Sequence, residues 1–263
     1  MTTGASLPKR RVLTADISVG SFDDHIAAFA ALGAAHVSSY VCCVNAHMTV
    51  EARDPDFARV VNGADFATAD GMPVLRLLNR YYKVAQQRVA GNDIMPALLE
   101  KAAQSGLSVY LYGGTSDIHE RIISRVEREL PALRIAGCYA PPFAPLEHMD
   151  LDQEAKRINI SGANIVMVSL GCPKQERWMA AMKGRVQGVM LGLGGAFLLY
   201  AGMDTRAPKW MRDLSLEWVY RLWLEPGRLW KRYLVTNTVF VGMVIRSLFV
   251  GSTSLHSGTR RFD

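Results

Sequence analysis

Short β-rich runs alternate with helix-compatible segments along most of this chain, and that alternation limits the fold more than any other feature. Apolar runs recur at Ser39 to Val44, Ala64 to Ala69, Ser108 to Tyr112, Asn164 to Leu170 and Val189 to Leu193. Between them, helical periodicity marks Phe22 to Leu32, Met72 to Tyr82, Ile94 to Gln104, Asp117 to Leu130, Leu151 to Asn159 and Gln175 to Met182. The order predicts an α/β fold: a mainly parallel sheet flanked by helices in Rossmann-like layers. At 263 residues and 49% hydrophobic content, the chain can bury a core of that size.

In such sheets ligands gather beyond the carboxyl ends of the strands. The unusual residues fall there: Asn45, Ala69-Asp70-Gly71, Gly113-Gly114-Thr115, Gly171-Cys172-Pro173 and the run Gly192 to Gly195. Asp70 closes an apolar run, so its carboxylate serves either as a general base or as the N-cap of the helix that follows. Gly171-Cys172-Pro173-Lys174-Gln175-Glu176 is a strand-to-helix turn whose backbone amides suit a phosphate, with Gln175 beside it, or else an ordinary connection. Gly192-Leu193-Gly194-Gly195 resembles part of a dinucleotide fingerprint, but Phe197 replaces its last glycine, which favours close backbone approach over NAD binding. Gly91-Asn92-Asp93 reads as a helix N-cap with Pro96 in the first turn, while Arg88 is either a bidentate clamp for a diphosphate or a solvated side chain. Asp54-Pro55-Asp56 lies in a polar helical stretch and reads as turn and cap chemistry rather than a metal site; the six histidines show no zinc spacing. No metal and no cofactor is expected.

Charge divides the chain at Arg206. Residues 1–205 carry 20 Lys/Arg and 20 Asp/Glu, whereas 206–263 carry 10 and 4, so the whole net charge of +6 lies in the last segment. A balanced body, 1–205, with a basic appendage, 206–263, points to a polyanion at one end and shows no nucleic-acid footprint on the body. The appendage reads as a helix from Lys209 to Leu224, an interruption at Pro226-Gly227, and a basic, apolar segment from Arg228 to Val250. Glu217 and Arg221 are i,i+4 partners there. Arg221, Arg228, Lys231 and Arg232 interleave with Trp223, Trp230 and Tyr233 as an interfacial segment requires. Leu234 to Val250 is short for a span of about 20 residues and includes Asn237 and Arg246. Four cysteines without a paired spacing, and a start with no signal-type apolar region, fit reduced thiols and a cytoplasmic protein held peripherally on the inner membrane face.

Seven ordered pieces together are similar to the WecG/TagA/CpsF family, glycosyltransferase family 26. They are Val44-Asn45-Ala46-His47, Thr68 to Val74, Arg88 to Asp93, Gly171 to Glu176, Gly192 to Phe197, Arg206-Ala207-Pro208 and Glu217 to Leu222. The resemblance runs from about Val37 to Tyr233. It implies an inverting, metal-independent transferase that moves a hexosyl unit from a UDP-sugar to an undecaprenyl-diphosphate-linked sugar during surface polysaccharide synthesis. By resemblance, Asp70 is the general base, Asn45 lies in the substrate pocket, Arg88 meets the diphosphate and Gln175 occupies the binding turn. Arg221, Arg228 and Lys231 correspond to cationic contacts supplied by the appendage, and self-association is implied as well. Cys43 stands where the family often has threonine, and Phe197-Leu198-Leu199 where it has an FDF-like triplet, which bears on the donor hexose. Two other classes remain open from the residues alone: an NAD-dependent sugar oxidoreductase and a non-catalytic membrane adaptor.

Overall fold

The computed structural model describes residues 6–214, 216–224 and 226–254; side chains at 212, 213, 221, 228, 229, 232 and 250–254 lie outside that description. Six strands form one parallel sheet: β3 (Ser39–Val44), β4 (Phe66–Ala69), β5 (Ser108–Gly113), β6 (Arg134–Tyr139), β7 (Ile165–Ser169) and β8 (Val189–Gly192). Their order across the sheet is β4-β3-β8-β7-β5-β6. A separate antiparallel hairpin, β1 (Lys9–Val12) and β2 (Ala15–Ser18), leans on the β4 edge, where the Ala67 N–H donates to Ser18 Oγ at 3.1 Å.

The central strands read as continuous apolar runs because both faces of the sheet are covered. On β3, Tyr40, Cys42 and Val44 enter one core while Val41 and Cys43 enter the other; Tyr110 and Tyr112 against Val109 and Leu111 divide β5 in the same way. The first face is covered by α3 (Pro55–Asn62), α4 (Met72–Tyr82), α7 (Leu151–Ser161) and α8 (Lys174–Met182), and the second by α1 (Phe22–Ala34), α5 (Gly91–Gln104), α6 (Ser116–Glu129) and α9 (Ala196–Tyr200). Trp178 of α8 stacks on Tyr112 of β5 with centroids 4.2 Å apart, and its indole N–H donates to Glu154 Oε2 at 2.9 Å. The Tyr112 hydroxyl donates to the same oxygen, so α8 is locked to the sheet directly after the Gly171 turn. Burying a side chain of this size contributes roughly 1.5–3 kcal/mol.

Several boundaries differ from the sequence expectations. Helix α5 begins at Gly91 with Ala90 as its cap residue and no side-chain cap, so Asn92 and Asp93 lie inside the helix, as does Pro96. Lys209 to Leu224 is not one helix but two, α10 (Lys209–Asp213) and α11 (Glu217–Leu224). Pro226 starts α12 (Pro226–Ser254) instead of interrupting a segment, a position where its missing N–H costs nothing. Helix α12 packs on α2 (Ala46–Glu51) and on the end of α4. Phe240 is buried in the first core, Thr236 Oγ1 lies 3.5 Å from His47 Nδ1, and Ser247 Oγ lies 2.6 Å from the Tyr81 hydroxyl. Leu234 to Val250 thus packs on the body by one side, while Leu234, Val241, Ile245, Leu248 and Phe249 remain exposed on another. Among the described residues, no helix is long and apolar enough to cross a membrane.

Candidate functional site

The singled-out turns all leave the carboxyl ends of neighbouring strands, so the fold brings them to one edge of the sheet. Asn45 follows β3 and caps α2, its Oδ1 accepting the Met48 N–H at 3.1 Å. Asp70 follows β4, and its backbone N–H is shared between the carbonyls of Val44 at 3.0 Å and Thr68 at 3.1 Å. This tie sets Asp70 beside Asn45; a Cβ on Gly71 would lie only 3.3 Å from that of Asn45. The capping alternative for Asp70 fails, because the N-cap of α4 is Gly71 and no side chain caps it. The half-buried carboxylate also acts on Cys43: burial first, and then the Asp70 charge, push that buried thiol well above its ordinary range. Cys43 is therefore a neutral thiol beneath the site.

Arg88 is set beside β4 by the Val89 N–H, which donates to the Ala69 carbonyl at 3.1 Å. Its guanidinium does not stand alone as a clamp. It lies 3.1 Å from Asp93 and 3.6 Å from Glu217 of α11, while Arg206 reaches the other Asp93 oxygen at 2.7 Å. Four charges thus join the start of α5 to the C-terminal helices. Glu217 was expected to pair with Arg221. The side chains of Arg221 and Arg228 lie outside the described residues. Lys231 is on the exposed side of α12, its ammonium 5.5 Å from the Trp230 ring centre.

The remaining turns belong to β7, β8 and β5. The Cys172-Pro173 peptide is cis, Pro173 occupies the cap position before α8 rather than its first turn, and the Gln175 N–H donates to the Gly171 carbonyl at 2.8 Å. Gln175 is buried; its Oε1 accepts the Gly194 N–H at 3.1 Å, and Gly192 leaves the room its amide needs. Ser169 Oγ donates to the Gly194 carbonyl at 3.0 Å. Gly113 adopts φ +89°, and a Cβ there would sit 2.2 Å from the Ser169 carbonyl oxygen, so only glycine fits. Gly114 donates to that same oxygen at 2.9 Å. The connection after β5 runs outward to the edge strand β6, whereas that after β7 runs inward to β8, a divergence of the kind that opens a ligand crevice between neighbouring strands.

Two supporting residues were missed from the sequence. His119 on α6 lies with Nε2 2.6 Å from the Gly113 carbonyl, and its burial lowers its pKa, so a neutral ring donates there and holds the glycine turn. Glu176 is fully buried and raised by desolvation; it lay within the Gly171 to Glu176 motif without an assigned task. Asp54 caps α3 and meets Arg177 at 3.0 Å, and Asp56 pairs with Arg59, so that pair of acids is occupied by local structure. Among the described residues no group of three His, Cys, Asp or Glu side chains is arranged to hold a metal.

The profile described as the glycosyl transferase WecG/TagA/CpsF family matches residues 10–254. The N-acetylglucosaminyldiphosphoundecaprenol N-acetyl-beta-D-mannosaminyltransferase of Bacillus subtilis is 33% identical over 200 residues, covering 75% of this chain and 76% of that protein. Its counterpart of the same name from Bacillus spizizenii is 34% identical over 198 residues, covering 74% and 75%.

Proposed function

The chain belongs to the WecG/TagA/CpsF glycosyltransferase family, and from that premise we propose that it transfers a hexosyl unit from a UDP-sugar to an undecaprenyl-diphosphate-linked sugar. The acceptor named for the two relatives, an N-acetylglucosaminyl diphosphoundecaprenol, is the first acceptor to offer, and N-acetylmannosamine the first hexose. The observation that carries the reading is the setting of Asp70: half-buried at a strand end, tied to the β3 terminus beside Asn45, and not used as a helix cap.

In the proposed step the Asp70 carboxylate takes the proton of the acceptor hydroxyl as that oxygen attacks the anomeric carbon. The bond from that carbon to the diphosphate oxygen breaks, UDP leaves with the electron pair from the opposite face, and the configuration inverts. Arg88, with backbone amides at Gly171, Cys172 and Gly195 of the strand-end turns, stabilises the leaving diphosphate without a metal. Arg88 exchanges its Glu217 contact for the diphosphate, and Arg221, Arg228 and Lys231 close over the site as residues 206–263 act as an appendage to the catalytic body. The exposed apolar side of α12, with Lys231 and Arg246 exposed on the same helix, seats the chain peripherally on an anionic cytoplasmic membrane face where the lipid diphosphate emerges. A panel of UDP-hexoses with the lipid-diphosphate GlcNAc acceptor tests this, scored by UDP release and product anomer with and without a chelator. An inverted product formed in chelator is expected; a retained anomer or chelator-sensitive turnover contradicts it.

A further inference from the structure

We propose that Glu176 is a positioning residue of the transfer site, its carboxyl orienting the Gln175 amide so that this amide pins the Gly192 to Gly195 turn. The inference rests on the reading above, in which that turn approaches the donor. An amide side chain can face either way, and its neighbours decide which end is oxygen. Glu176 Oε1 accepts from Gln175 Nε2 at 2.9 Å, which turns Gln175 Oε1 toward Gly194, whose N–H it accepts at 3.1 Å. The arrangement leaves no freedom around Gly192: a Cβ there would lie 2.6 Å from Gln175 Nε2 and 2.7 Å from Met179 Cε. Glycine at 192, the amide at 175 and the acid at 176 therefore form one chain of contacts ending on the β8 turn.

Burial holds Glu176 in place for this task. Its side chain is fully buried, and Oε2 has no hydrogen-bond partner among the described residues. The ionisable groups that act with it are the thiols of Cys42 and Cys43 on β3 and of Cys172 in the turn before α8; Glu51 of α2 acts on the same Cys172. Burial pushes Glu176 up, partly offset by the hydrogen bonds from Gln175 and Cys172.

The test compares Glu176→Ala and Glu176→Gln with wild type, after thermal melts of all three. Glu176→Ala removes the acceptor, frees the Gln175 amide and raises KM for the UDP-sugar about fivefold, the size expected for one hydrogen bond, with a smaller change in kcat. Glu176→Gln keeps an acceptor oxygen for the Gln175 amide and returns KM to within about twofold of wild type. Unchanged KM in Glu176→Ala, or a KM in Glu176→Gln as high as in Glu176→Ala, overturns the proposal. Hydrogen exchange at the Gly194 amide decides the matter independently of turnover. At one pH, faster exchange in Glu176→Ala than in wild type and Glu176→Gln supports the chain of contacts, and equal exchange in all three rejects it. Absence of UDP-sugar turnover in wild type rejects the donor reading instead, and leaves the exchange result to stand for Glu176.

Discussion

Strand β5 and helix α12 are both rich in apolar side chains, yet they end in opposite situations. All six residues of β5 are buried, with alternate side chains entering two separate cores. On α12, Phe240 enters the first core while Phe249, nine residues on, is 74% exposed. Hydrophobicity in the body is spent on a closed fold; in the C-terminal helices a large part of it is left outward. The difference teaches where the two regions draw their stability: the sheet is packed on both faces, whereas α12 is attached by one side and leaves an apolar side outward.

The largest test of that comparison removes residues 206–263. The remaining body is expected to unfold cooperatively yet transfer sugar at background rate, since Arg221, Arg228 and Lys231 go with the deleted segment; full transfer by the shortened chain breaks the division of labour. Next in size, Phe240→Ala removes the docked aromatic and weakens the attachment of α12 by about 3 kcal/mol. Limited proteolysis should then cut within α12 before the body melts, and a protection pattern identical to wild type contradicts the docking role. A smaller, opposite result is expected for Leu234→Ser with Ile245→Ser. Stability should change by no more than about 0.5 kcal/mol, while flotation with anionic vesicles falls; retained flotation separates the exposed side from membrane contact.

Much of the body was legible in the sequence because buried parallel strands cannot hide: five of the six sheet strands show as apolar runs, and every singled-out glycine turn falls at a carboxyl end. Strand β6 was missed because it is an edge strand with mixed exposure, so Arg134 to Tyr139 forms no apolar run. The hairpin of β1 and β2 pairs only four residues a side and begins with Lys9-Arg10-Arg11, which carries no strand signal. At the candidate site, the strand-end positions of Asp70 and Asn45 were legible from turn chemistry. The linkage of Arg88, Asp93, Arg206 and Glu217 was not, because it joins positions more than one hundred residues apart, and charge pairs leave no periodic trace. Glu176 was hidden for a different reason: an acid in a helix's first turn ordinarily points to solvent, and only the tertiary packing of α8 buries it.

A fine prediction concerns the body alone. His25 on α1 is buried with Nδ1 2.8 Å from the Ser21 carbonyl, and desolvation lowers its pKa. Its neutral ring contributes stability above the unfolded pKa of about 6.5, and the contribution is lost as pH falls through the lowered folded value. Thermal melts should show wild type losing stability against His25→Gln only below that pH; parallel curves contradict this.

The central claim is that Asp70 removes the acceptor proton, and one paired measurement tests it most directly: single-turnover transfer and UDP-sugar binding in wild type and Asp70→Asn. A drop of roughly 10²–10⁴-fold in rate with donor affinity unchanged is the result predicted. An Asp70→Asn protein that still transfers at the wild-type rate contradicts the account.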